Sequence, residues 1–125
     1  MTDPQLPEDF INGTPEQRRG AFVDAITRQN GNYDTVALML AHRADVNWQD
    51  EDGDSACHWA SLNGASLNGH LNLIRLLITS RANVDLQNVY GNTPLHWARR
   101  HVDAAIALVA ARASIDTPDN YGNTL

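Results

Sequence analysis

Histidine, cysteine and clustered carboxylates are the side chains in this sequence whose types could support chemistry. His96 and His101 stand close enough to share a helix face, but no cysteine or carboxylate completes a zinc set around them. Cys57 is the single cysteine, with His58 beside it. Neighbours in a helix point different ways, and a nucleophile needs both an exposed thiolate and an activating base. The glycines mark turns and caps, and none forms a phosphate-binding loop. These residues predict no enzyme activity, no metal and no cofactor. Asp45, Asp50, Glu51, Asp52 and Asp54 crowd one stretch, whereas Arg99-Arg100 gives a later one the opposite polarity. An acidic tip of this kind favours a basic segment on a partner and speeds its association. The rings could act too. Trp59 and Trp97 hold equivalent places, which predicts packing between units; alternatively Trp48, Trp59 and Tyr90, with Glu51 and Asp52, could cradle a cation by cation–π attraction.

Composition narrows these options. Apolar residues make up 42% and charged residues 19%, the balance of a folded globular chain rather than a disordered one. The net charge of −6 repels phosphate backbones, so nucleic acid is not an expected partner. All nine positive residues are arginine, which rules out lysine chemistry. No apolar run approaches the length of a membrane span, and the acidic, proline-broken start is no secretory signal. One cysteine permits no intramolecular disulfide and points to the cytoplasm or nucleus.

The elements that must position these residues repeat. ADVNWQDEDGDSACHWA at 44–60, ANVDLQNVYGNTPLHWA at 82–98 and ASIDTPDNYGNTL at 113–125 align with Gly53, Gly91 and Gly122 in register. Between them lie helical apolar stripes, the broadest from Leu71 to Ile78. Thr93 is placed to cap a helix with its hydroxyl and Pro94 to occupy the first helical position; Ser55 caps the preceding unit. Thr14-Pro15-Glu16-Gln17 repeats the logic, with Gln17 completing a capping box.

Gly91-Asn92-Thr93-Pro94-Leu95-His96-Trp97-Ala98, with Gly69-His70 and Arg81-Ala82-Asn83-Val84-Asp85, resembles the 33-residue pattern of ankyrin-repeat proteins. The resemblance implies an all-α repeat, an ankyrin solenoid of stacked helix-turn-helix units with hairpin-like connecting loops. It divides the chain into an irregular N-terminal arm at 1–13 and a repeat domain at 14–125. The units span 14–50, 51–88 and 89–119, and a further unit opens at 120–125. It gives His58 and His96 the structural task of bonding the neighbouring turn. It implies a non-catalytic module that binds another protein through turn tips and first helices. The groove residues are then Trp48, Glu51, Asp52, Asp54, Leu62, Val89, Tyr90, Asn92, Arg99, Arg100, Asn120 and Tyr121. Two alternatives are a regulatory fragment of a larger enzyme and a reader of a methyl-lysine-like cation. Weak self-association through an uncapped third unit is also expected.

Residues 60–69 read ASLNGASLNG, one phrase twice. Gly53 and Gly91 stand 38 residues apart, five beyond the family period, and Gly91 and Gly122 stand 31 apart. Removing one copy restores 33, so the phrase is a tandem duplication at the joint of two helices. Transmitted as helix, five residues would turn the second helix by about 140° out of phase. A break at Asn63-Gly64 or Asn68-Gly69, with a protruding mobile segment at 61–69, is therefore expected.

Overall fold

A computed structural model describes residues 6–27, 33–63, 68–98 and 101–124. It contains α1 (Glu8–Ile11), α2 (Pro15–Thr27), α3 (Tyr33–Ala41), α4 (Ala56–Asn63), α5 (Asn68–Thr79), α6 (Pro94–Ala98) and α7 (Val102–Ala110). No strand occurs among the described residues. After α1, the helices form three antiparallel pairs. The first helices α2, α4 and α6 touch in series, and so do the second helices α3, α5 and α7. This is an all-α repeat solenoid, in which each unit covers its apolar stripe with the next. Leu73, Ile74 and Leu77 of α5 are fully buried between the neighbouring second helices, while Ala60 of α4 and Ala98 of α6 let the first helices approach closely.

All three units open with the same capping device. In the first, the Thr14 N–H donates to Gln17 Oε1 at 2.9 Å, and the Gln17 N–H donates to Thr14 Oγ1 at 3.2 Å. This is the expected capping box. In the next two units a histidine ring replaces the glutamine. The Ser55 N–H donates to His58 Nδ1 and the Thr93 N–H to His96 Nδ1, each at 3.0 Å. The Ser55 and Thr93 hydroxyls, expected on the helix backbone, instead meet the same ring nitrogens at 2.9 Å. The ring takes the hydroxyl because it stands three residues on, where a capping-box side chain reaches back.

The units also close alike. Arg43, Arg81 and Arg112 adopt left-handed backbone, with φ of 67°, 68° and 67°. The residue after each donates its N–H to the carbonyl five residues back, that of Met39, Leu77 and Leu108. That is the Schellman cap, built here on arginine where glycine is usual.

The turns between units are joined by a hydrogen-bonded ladder. Asp50, Asn88 and Asp119 each use one side-chain oxygen to accept two N–H groups of their own turn, at 2.9–3.0 Å. Neighbouring turns are tied by Val89 N–H to Asp52 O and Asn120 N–H to Tyr90 O, both 2.9 Å. Gly53 has φ +79°, and a Cβ there would lie 2.8 Å from Asn88 Cα, so both conformation and space require glycine.

One expectation is revised by position. Residues 8–11 of the arm, expected to be irregular, form α1. Phe10 is only 1% exposed there and draws the segment onto α2. At the duplication, α4 spans Ala56–Asn63 and α5 spans Asn68–Thr79. The expected break at Asn63-Gly64 or Asn68-Gly69 involves 64–67, which lie outside the described residues. The expected mobility of 61–69 concerns a segment whose middle, 64–67, lies outside the described residues.

Candidate partner-binding surface

The turn tips present paired side chains one repeat apart. Glu51 and Asp52 are exposed; Val89 is 55% exposed and Tyr90 53%; Asn120 is exposed and Tyr121 reaches 79%. The ladder beneath fixes their spacing, and Asn120 Nδ2 adds a bond to Val89 O at 2.8 Å. The row runs from acidic at the first tip to neutral and aromatic at the third. Large rings displayed on a rigid frame lose little conformational entropy on binding.

Other expected groove residues are placed differently. Asp54 is 5% exposed, and its Oδ1 accepts from Asn88 Nδ2 at 3.0 Å. It is a tie between turns, not a free tip charge. Burial raises its pKa above the ordinary 3.8, against the lowering effect of the Asn88 bond. Asn92 is half-buried, and its carbonyl accepts from His58 Nε2 at 2.8 Å. Leu62 lies on α4, but its side chain, like Arg99 and Arg100, falls outside the described set.

Among the described residues, the ring contacts join Trp59, Trp97 and His58. Trp59 meets Trp97 edge to face, with centroids 6.0 Å apart, and its Nε1–H donates to Asp50 Oδ2 at 3.2 Å. Trp97 also meets the His58 ring, at 5.4 Å. Trp48 faces the other way along the stack, where the Arg19 guanidinium stands 6.0 Å from its centroid.

His58 is fully buried and His96 half-buried. A backbone N–H can only donate, so Nδ1 of each ring is the acceptor and Nε2 carries the proton. His58 Nε2 donates to the Asn92 carbonyl, and His96 Nε2 donates to the Asn123 carbonyl at 3.2 Å. Each histidine thus caps its own helix and holds the next turn. Burial lowers the His58 pKa below the ordinary 6.5, opposed by the Asn92 bond and by Asp54. Cys57 is 1% exposed, and burial pushes its thiol up to about 12, which leaves it a neutral, small apolar group.

Carboxylate oxygens of Asp50, Asp52 and Asp54 lie within 4.8 Å of one another. Asp50 and Asp54 spend their oxygens on turn amides, the Trp59 indole and Asn88. The cluster is explained by the turns it builds. Asp119, the third-turn equivalent of Asp50, is held below the ordinary 3.8 by the N–H groups it accepts, that of Asn123 first.

No helix among the described residues is long and apolar enough to cross a membrane. No curated protein matches the chain. A family model of ankyrin repeats, in three copies, matches residues 22–119, and those residues hold every paired helix from the middle of α2 to α7. With that match over most of its length, and three helix pairs stacked through capped, laddered turns, the chain belongs to the ankyrin-repeat family.

Proposed function

We propose that this chain is a non-catalytic binding module that takes a partner protein, one bearing a basic segment, along its row of turn tips. Ankyrin repeats are generally protein–protein interaction modules, typically without catalysis. The observation that carries the finer reading is the exposed series Glu51-Asp52, Val89-Tyr90 and Asn120-Tyr121, held at fixed spacing by the ladder. The acidic first tip attracts positive charge, and the two tyrosines supply contact area. Cytoplasmic or nuclear placement rests on the single cysteine. The test is capture of partners by the wild-type chain, Tyr90→Ala and Glu51→Arg. Both side chains are exposed, so folding is retained. Tyr90→Ala should weaken capture about tenfold, as loss of an aromatic anchor does. Glu51→Arg should slow association and reduce its salt dependence. A partner held equally by both variants would move the surface elsewhere.

A second reading concerns α7. Val102, Ile106 and Val109 stand at i, i+4 and i+7, with exposures of 69%, 61% and 48%. An apolar stripe of this kind favours weak self-association. Sedimentation should give a mass average that rises with concentration for the wild type and stays monomeric for Ile106→Glu. A strict monomer in both excludes it.

A further inference from the structure

We infer that the pocket between α1, α2 and the turn after α3 is a binding site for an oxyanion carried on a flat apolar stem. Its walls are the rings of Phe10, Phe22 and Trp48, and its charged lining is Arg18, Arg19, Arg43 and Asp45. Three guanidiniums and one carboxylate give a local charge of 3 − 1 = +2, in a chain whose net charge is −6. The cavity holds about 220 Å³. That is less than pockets for drug-sized ligands and enough for one ring with its anionic group.

The guanidiniums are arranged for such a ligand. Arg18 lies 4.2 Å from the Phe10 ring centroid. Its Nη1 donates to the Phe10 carbonyl at 2.6 Å and its Nη2 to the His42 carbonyl at 3.3 Å. These bonds fix one positive charge in the wall. Arg19 stands over Trp48. A guanidinium held near a ring in this way keeps its N–H groups, the fork that matches a carboxylate or phosphate. Among the described residues neither Arg19 nor Arg43 has an ion-pair or hydrogen-bond partner for its side chain. The one carboxylate of the lining, Asp45, already accepts the Asn47 N–H at 3.0 Å. Two uncommitted guanidiniums thus rim an aromatic pocket.

The probe is phenyl phosphate, followed through the Trp48 indole N–H resonance, with phenol as the uncharged control. A saturable shift of Trp48 is expected with phenyl phosphate and none with phenol, while Trp59 and Trp97 stay still. The variant Arg19→Gln/Arg43→Asn should bind at least about tenfold more weakly, the loss of a charge-assisted hydrogen bond. Asparagine suits the left-handed backbone at 43. Circular dichroism checks that the variant folds, and Arg19→Gln alone carries the test if it does not. Absence of a saturable shift, equal affinity in the variant, or all three tryptophans moving together would overturn the site. A free small anion and a peptide side chain share this chemistry. A capped alanine-phosphotyrosine-alanine peptide that binds more tightly than phenyl phosphate assigns the site to a peptide, and equal binding assigns it to a free anion.

Discussion

His58→Ala is expected to lower the free energy of unfolding by about 3 kcal/mol, and His96→Ala, the same residue one repeat later, by about half as much. The two rings make the same bonds, so burial decides the difference. Removing the His58 ring leaves the Ser55 N–H and hydroxyl without their acceptor in a position 1% exposed, and takes a donor from Asn92. A buried unpaired donor costs about 1–3 kcal/mol, and the missing ring adds a cavity. Thr93 is as buried as Ser55, but His96 itself is half-buried and its far partner, Asn123, is exposed, so water can enter the vacated space and replace the bond to the next turn. His58→Gln should recover part of the loss, because Gln17 shows that a glutamine at this place accepts the cap N–H. Glutamine lacks the reach to the next turn. Urea unfolding of the three variants checks the order, and equal losses for His58→Ala and His96→Ala would refute the double role of the buried ring.

The same ring gives the fold an acid sensitivity of known sign. Its folded pKa is lowered by burial, so the unfolded chain binds the proton first as pH falls. Stability should therefore decline from about pH 6.5 downward, until the lowered folded value is reached. Asp54 acts oppositely and later. Its folded pKa is raised, so the native state takes that proton first, and stability is partly recovered as pH falls toward 3.8. Subtracting the His58→Ala profile from the wild type removes the other histidines and isolates the first limb.

What could be read from the sequence is what recurs at one offset. Ser55 and His58, Thr93 and His96, and the three turn glycines are readable because each type returns with the same neighbours. What could not be read depends on residues distant in the chain. Asp54 looks like a solvated charge within DEDGD, and only the reach of Asn88, 34 residues on, buries it. Trp48 looks like a partner for Trp59, yet α2 brings Arg19 over its ring and Phe10 of α1 lines the same pocket. Capping rules assign a hydroxyl to Ser55 and Thr93, but a ring three residues later competes for it at 2.9 Å. The left-handed arginines went unread because only glycine or asparagine signals such a cap by type.

Leu77→Ala tests whether the units are energetically one body. Leu77 is 0% exposed on α5, which touches α3 on one side and α7 on the other. Deleting three carbons there should cost about 3 kcal/mol, within the usual range for a buried leucine. Because α5 is shared, the loss should lower a single unfolding transition for the whole chain. Leu108→Ala removes an equally buried leucine, but α7 touches second helices on one side only, at α5. In a one-dimensional stack an end unit can open alone. Its loss should therefore appear first as faster hydrogen exchange in residues 94–124, with the earlier units still protected. Ile106→Ala, 61% exposed on the same helix, should change stability by less than about 0.5 kcal/mol. If Leu77→Ala and Leu108→Ala instead gave the same exchange pattern, nearest-neighbour stacking would not be what holds this chain. The ladder of turns would then have to carry the coupling between units.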